Sequence, residues 1–211
     1  MKTPETREDL VDQLAEVGRM AVTSGLVLAS GGNLSARLPD SDEFVITGAG
    51  TWLDRLAPDD FTVLTLDGTT IGGAQRPSSE WKLHQRSYQV RPDVNAVIHV
   101  HPQHAVLVDA LGHSIRLITL DHAYYVRSVG TVPYFPNGSD ELADHAAEQA
   151  KDHNCVILSH HGCSALGSDI AMAYRRALNL EEAATATYRS LAVGNSDCTF
   201  PPESFAALHH A

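Results

Sequence analysis

His99 and His101 stand one residue apart at the end of the mostly apolar run VNAVIHVH, residues 94–101. On a strand, alternate side chains share a face, so both imidazoles can converge on one ion. A second run of strand character, CVILSHHG at residues 155–162, also ends in histidines. His160 and His161 would point to opposite faces if that strand persists, so only one of them can join the pair. Three histidines with a vacant position form the pattern of a catalytic zinc site, whereas a structural zinc is usually closed by a fourth protein ligand. Taken singly, a strand histidine is more often an interior hydrogen-bonding group, and the third ligand counts only if the two strands are neighbours. His84, His104, His113, His122, His145, His153, His209 and His210 are read as structural, with His104 opening a helix after Pro102 and facing elsewhere.

Three further segments share another chemistry: GGNLS at residues 31–35, TGAG at 47–50 and PSSE at 77–80. Each offers small residues whose backbone N–H groups can approach an anion, beside a hydroxyl or amide donor. Any one alone is most simply a turn or a cap, but together they suggest a phosphate cradle. In SSEW, Ser78 or Ser79 could cap a helix with Glu80 in its first turn, near the positive end of the dipole. Beside a metal-bound substrate, the Glu80 carboxylate could instead move a proton on or off carbon.

These residues need a frame. Leu10, Val11, Leu14, Val17 and Ala21 recur at helical spacing after Pro4, with Gly25 past the end. NLSARL and EFVIT read as a hairpin across the polar PDSDE, and FTVLTL followed by DGTTIGG continues the strand-and-turn pattern. SSEWKLHQRSYQV reads as a helix capped by serine and delivers the chain to VNAVIHVH. PQHAVLVDALG reads as a helix, IRLITL and GTVPYF as strands, and GSDELADHAAEQAKDH as a helix beginning at Ser139. CVILSHHG pairs with CSALG, and DIAMAYRRALNLEEAATATYRSLAV forms a long closing helix. Hairpins mixed with helix-to-strand returns predict an α/β or α+β domain with a mixed sheet between helices, rather than a doubly wound parallel sheet. The expectation is a single domain over residues 1–211, with a flexible or interfacial tail from about residue 195.

The composition closes off several classes. Fifteen basic against 26 acidic residues give a net charge of −11, which supplies no basic stripe for a nucleic acid. No apolar run approaches the roughly 18 residues of a membrane span, and MKTPETREDL has no apolar signal core. The expected location is the cytoplasm, with Cys155, Cys163 and Cys198 as free thiols. Gly31-Gly32-Asn33 does not belong to a GxGxxG arrangement and no GxxxxGK[ST] occurs, so nucleotide-binding readings are weak.

In their order and spacing, GGNLS, TGAG, SSEW, IHVH and SHHG resemble the class II aldolase and adducin family, most closely its L-fuculose-1-phosphate aldolase branch. The resemblance covers nearly the whole chain up to the final long helix. It implies a three-layer fold with a mixed, largely antiparallel central sheet flanked by helices, and a cyclic homotetramer with active sites at subunit interfaces. It assigns His99, His101 and His161 as ligands of one Zn2+ per subunit, replaceable by other divalent metals. Glu80 becomes the catalytic acid/base, binding the metal when substrate is absent. Gly32, Asn33, Thr47, Gly48, Ser78 and Ser79 fall at phosphate-binding positions, and Ser30 where a small hydroxyl residue assists the transition state. The implied reaction is reversible cleavage of a ketose 1-phosphate, such as L-fuculose 1-phosphate, to dihydroxyacetone phosphate and an aldehyde through a metal-stabilised enediolate.

The sequence also departs from that branch. Leu120 stands where the fuculose enzymes carry a tyrosine that reaches a neighbouring site, with Asp121, His122, Tyr124 and Tyr125 nearby. The tail PPESFAALHHA lacks their second tyrosine, which leaves aldehyde recognition open. Decarboxylases, dehydratases and aldolases of other phosphorylated sugars or keto acids remain alternatives within the family. A 4-epimerase is disfavoured because that branch resembles SSD at residues 78–80. A non-catalytic adducin-like scaffold is disfavoured because all three histidines and Glu80 are present.

Overall fold

In the computed structural model, which describes residues 3–73, 76–195 and 197–208, a reciprocal cap opens the first helix. The Thr6 hydroxyl accepts from the Asp9 N–H while the Asp9 carboxylate accepts from the Thr6 N–H. Helix α1 (Arg7–Thr23) follows, burying Leu10, Leu14, Val17 and Ala21. Gly25, at φ 76°, supplies the left-handed backbone that turns the chain out of the helix.

Among the described residues, one eight-stranded sheet organises the molecule. Its strands are β1 (Asn33–Ala36), β2 (Glu43–Thr47), β3 (Phe61–Thr65), β4 (Thr70–Gly73), β5 (Ala96–Val100), β6 (Val129–Val132), β7 (Cys155–Leu158) and β8 (Gly162–Gly167). They lie in the order β4-β3-β2-β1-β5-β8-β7-β6. Every neighbouring pair is antiparallel except β6 and β7, which run parallel. β5 therefore sits inside the sheet between β1 and β8, and its residues are buried throughout. The strand of the second histidine run, β7, lies one strand away from β5, so the two are not neighbours, and His161 comes beside the β5 histidines through the turn that leads into β8.

Helices cover both faces, making three layers. On one face α1, α3 (Gln103–Ala110) and α5 (Ile170–Ala192) pack on Leu34, Ala36, Ile98, Val100, Cys163 and Ala165. On the other, α2 (Trp81–Val90) and α4 (Asp140–Ala150) pack on Phe44, Ile46, Val97, Val156 and Leu166. Strand alternation assigns Asn33, Ser35 and His99 to the α2 side, since their neighbours Leu34, Ile98 and Val100 face away from it. A polar stripe thereby enters an otherwise apolar layer opposite α2.

The structure corrects three local expectations. IRLITL, residues 115–120, is not a strand. The N–H of Arg116 donates to the Thr187 hydroxyl, and those of Ile118 and Thr119 to His122 Nδ1, so side chains take donors that a neighbouring strand would have used. The segment leads instead into one π-helical turn, His122–Val126. Secondly, no serine hydroxyl caps the first turn of α2. Glu80 occupies the cap position itself, and Ser78 Oγ accepts from the Glu80 N–H at 3.3 Å. Thirdly, His160 and His161 lie in the turn between β7 and β8 rather than on a strand, with His160 at φ 59°. Beyond α5, Phe200 N–H donates to the Leu117 carbonyl, and a 3-10 helix spans Pro202–Ala207. His209 and His210 lie outside the described residues, and among the described residues no helix is long and apolar enough to cross a membrane.

Candidate metal centre

Glu80, His99, His101 and His161 each offer one ligand atom, and these four atoms all lie within 4.8 Å of one another. His99 Nε2 is 3.1 Å from Glu80 Oε2, His161 Nε2 is 3.4 Å from Glu80 Oε1, and His101 Nε2 is 3.1 Å from His99 Nε2. His99 and Glu80 are buried, while His101 and His161 are partly exposed, so the cluster opens to solvent on their side.

Each ligand is aimed by the backbone that carries it. His99 pairs across the sheet with Asn33 on β1 and Ser164 on β8. Its Nδ1–H donates to the Cys163 carbonyl at 3.0 Å, which leaves the Nε2 lone pair facing the cluster. The His101 N–H donates to the Leu26 carbonyl, tying the end of β5 to the loop after α1. His161 is set by the tight β7–β8 turn, where its N–H donates to the Leu158 carbonyl.

The donor set fits a divalent cation. Burial, then repulsion from His99 and His161, lowers the His101 pKa to about 4 against the pull of Glu80. Burial and His99 lower that of His161 in the same way. Both rings are neutral near pH 7 and offer lone pairs. Burial alone would raise the Glu80 carboxyl, but the neighbouring His99, then His161, and the bond from the Asn33 amide outweigh it. The group is held well below the ordinary carboxylate range. Glu80 Oε1 is buried without a hydrogen-bond donor, and a lone-pair acceptor in that situation is costly unless a cation meets it. Three imidazoles and one carboxylate make a nitrogen-rich set suited to zinc and its transition-metal neighbours.

The backbone around the cluster leaves no room for side chains at one glycine. A Cβ on Gly162 would lie 2.5 Å from the Val100 carbonyl oxygen and 2.6 Å from His101 Cδ2. Gly162→Ala is therefore expected to cost about 1–3 kcal/mol of stability through overpacking and to weaken zinc binding by about 10–100-fold by displacing His101. Thermal unfolding and chelator competition would measure both. Gly72→Ala is the matched control, since its backbone is not left-handed and its Cβ would meet only an ordinary contact with Val63 at 3.6 Å. Unchanged zinc affinity in Gly162→Ala would show that His101 tolerates the displacement.

The anion segments meet at the same end of the sheet. The Leu34 N–H donates to Thr47 Oγ1, the Ser78 N–H to the Thr47 carbonyl, and Gly48 bridges to Pro77. Asn33 Nδ2 donates to Glu80 Oε2 at 2.9 Å, joining this group to the metal cluster. Ser30 and Ser79 are exposed, Gly32 is half-buried with φ 74°, and Thr47 and Ser78 are buried. One expected donor is already engaged, the Gly48 N–H by the Asp60 carbonyl, whereas the Thr47 hydroxyl accepts from the Leu34 N–H and keeps its own hydrogen to donate.

Several side chains read as structural behave so. His104 Nδ1 lies 2.8 Å from Glu181, whose carboxylate also accepts from the first N–H groups of α3. His122 pairs with Glu182, and His145 stacks on Phe135. His84 is likewise an interior hydrogen-bonding group, and its partner Asn33 also bonds Glu80. The ring lies fully buried between Asn33 and Ser35, with Tyr88 beyond them. The spacing of Glu80, His84 and Tyr88 at i, i+4 and i+8 was the available signal, because it puts all three on one helix face.

A family model described as Class II Aldolase and Adducin N-terminal domain matches residues 12–188. The chain is 35% identical over 176 residues to the L-fuculose phosphate aldolase of Methanococcus maripaludis, covering 83% of this chain and 94% of that protein. It is 30% identical over 179 residues to the 3-oxo-tetronate 4-phosphate decarboxylase of Haemophilus influenzae, covering 81% and 83%. Among solved structures, an L-fuculose 1-phosphate aldolase superposes with a TM-score of 0.89 at 26% identity, covering 96% of this chain and 95% of that one.

Proposed function

The chain belongs to the class II aldolase and adducin family, whose enzymes are metal-dependent lyases, and from that premise we propose that it is a zinc-dependent aldolase acting on a ketose 1-phosphate such as L-fuculose 1-phosphate. The reaction is reversible cleavage between C3 and C4 to dihydroxyacetone phosphate and an aldehyde. The observation that carries the reading is the buried Glu80 carboxylate, with one oxygen lacking a hydrogen bond, facing three convergent imidazoles at the end of the sheet.

His99, His101 and His161 would hold the ion, with Glu80 as its fourth ligand when substrate is absent. When bound, zinc supplies Lewis acidity at the ketone oxygen and lowers the energy of the enediolate left by bond cleavage. Breaking the C3–C4 bond releases the C4 hydroxyl proton as the aldehyde forms, and Glu80, ionised at the outset, takes up a proton and returns it to the enediolate carbon, giving dihydroxyacetone phosphate. In the direction of synthesis it removes that proton, a role suited to a carboxylate kept ionised by its neighbours. Gly32, Asn33, Thr47, Gly48, Ser78 and Ser79 take the phosphate in this proposal, and Ser30 lies beside the reacting carbons. Since the Gly48 N–H already has a partner, the phosphate is held chiefly by the hydroxyls of Thr47, Ser78 and Ser79 and by the Gly32–Asn33 segment.

The proposal includes one domain over the whole chain, a cytoplasmic location and a homotetramer with active sites at its interfaces. Leu28, 81% exposed two residues before Ser30, gives the rim an apolar contact to cover. Leu120, 57% exposed, is a second such contact. A decarboxylase, dehydratase or aldolase of another phosphorylated sugar or keto acid is the second reading, to which the Haemophilus influenzae relative lends support.

A panel of ketose 1-phosphates and phosphorylated 3-keto acids tests both readings. Dihydroxyacetone phosphate, carbon dioxide and water-loss products are followed separately, before and after chelation and zinc restoration. Dihydroxyacetone phosphate matched by aldehyde, lost on chelation and restored by zinc, is the expected result. Carbon dioxide without dihydroxyacetone phosphate would transfer the chain to the decarboxylases. A protein that carries no divalent metal and changes in no property on chelation would instead be an adducin-like scaffold.

A further inference from the structure

A line of buried hydrogen bonds leaves the metal cluster and runs between α2 and the sheet. Asn33 Nδ2 donates to Glu80 Oε2 at 2.9 Å, and Asn33 Oδ1 lies 2.5 Å from His84 Nε2. His84 Nδ1 lies 2.6 Å from Ser35 Oγ, which is 2.6 Å from Tyr88 Oη. Asn33, Ser35, His84 and Tyr88 are each no more than 4% exposed. At its far end, the Arg37 guanidinium sits over the Tyr88 ring, 4.9 Å from the centroid.

The direction of every bond follows from chemistry. An ionised carboxylate only accepts, so Asn33 must present its NH2 group to Glu80 and its carbonyl oxygen to His84. That oxygen needs a donor, which fixes His84 as the Nε2–H tautomer. Nδ1 is then the acceptor for the Ser35 hydroxyl, and Ser35 Oγ accepts in turn from the Tyr88 hydroxyl. Burial, then repulsion from His99, holds the His84 pKa at about 3 against the pull of Glu80, so the ring is neutral and has one donor to give. Tyr88 donates, Ser35 relays, His84 relays, and Asn33 delivers an N–H to the carboxylate.

We propose that His84 is a positioning residue for the reaction, locking the Asn33 amide so that it donates to Glu80 and fixes the carboxylate in the metal cluster, with Ser35 and Tyr88 setting the tautomer of His84. This rests on the reading of Glu80 as acid/base. Without a donor at His84 Nε2, the Asn33 amide is free to turn over and bring its oxygen against Glu80 Oε2. Both groups are acceptors, so the carboxylate would move from its place. Asn33 still has a second amide hydrogen, so positioning Glu80 does not remove it from the phosphate group.

His84→Phe removes both ring nitrogens and keeps the aromatic bulk, whereas His84→Gln keeps a donor near the Nε2 position. In the zinc-loaded protein, His84→Phe is expected to lower kcat by about 10–100-fold, the usual cost of losing a partner that orients a ligand. KM for the ketose 1-phosphate should shift only a few-fold, and His84→Gln should recover most of kcat. Nitrogen-15 NMR of the unmutated zinc-loaded protein supplies a readout independent of activity and of whether His84→Phe folds. The Nε2–H tautomer of His84 is expected, and the Nδ1–H tautomer would overturn the proposal. So would wild-type kcat in His84→Phe while Glu80→Gln is inactive. Full activity in Glu80→Gln would remove the underlying reading as well, a result distinct from either.

Discussion

Glu80→Gln is expected to lower carbon–carbon cleavage by about 10²–10⁴-fold, the usual contribution of a positioned acid/base, while the protein keeps its zinc. Glutamine preserves the length of the side chain, and its amide oxygen can still accept from Asn33 Nδ2, now 2.9 Å from the carboxylate. What it loses is the capacity to take and return a proton. The three histidines remain, and neither the His99 bond to the Cys163 carbonyl nor the β7–β8 turn depends on residue 80. Zinc content by elemental analysis and turnover on the same preparation separate the two effects. Undiminished turnover would take Glu80 out of the chemistry, and simultaneous loss of zinc would make it chiefly a ligand.

His161→Ala is expected to abolish both zinc binding and turnover, with affinity falling by more than the roughly 100-fold that loss of an outer partner costs. Two imidazoles and a carboxylate that must also do chemistry are a poor hold on the ion. His99→Ala should have the same effect on zinc but is the less clean test. His99 is fully buried between β1 and β8, so alanine there also leaves a cavity and an unpaired Cys163 carbonyl. The His161 side chain is 14% exposed on a turn, and its backbone bond to Leu158 does not involve the ring. Its variant should fold, as circular dichroism would report. A folded His161→Ala protein with stoichiometric, tightly held zinc would exclude it from the ligand set.

What was legible in the sequence followed from periodicity. Alternation put His99 and His101 on one face, and the observed β5 has that arrangement at its end. The helical spacing of Leu10, Leu14 and Val17, and the Ser139 cap of α4, are observed as read. Segments governed by partners distant in sequence were harder. IRLITL has strand composition, but its N–H groups are met by Thr187 and His122, which nothing local announces. His161 joins the cluster through the left-handed turn at His160, not through strand alternation. His84 resembles any core histidine until the ladder between β1 and β5 brings Asn33 and Ser35 against α2.

The strand order carries a consequence in time. β5 holds the first two histidines, yet it pairs with β1 before it and β8 well after it, and β8 supplies the carbonyl, 64 residues away, that orients His99. Glu80 likewise waits for Asn33, 47 residues earlier. Pairings of such separation close late in folding because loop entropy must first be overcome. A growing chain that has made His99 and His101 still has no binding pocket until the turn at residue 161 folds back beside them. Refolding followed in parallel by strand signal and by zinc uptake should therefore show the metal arriving last, as a seal on a finished sheet rather than a seed for it.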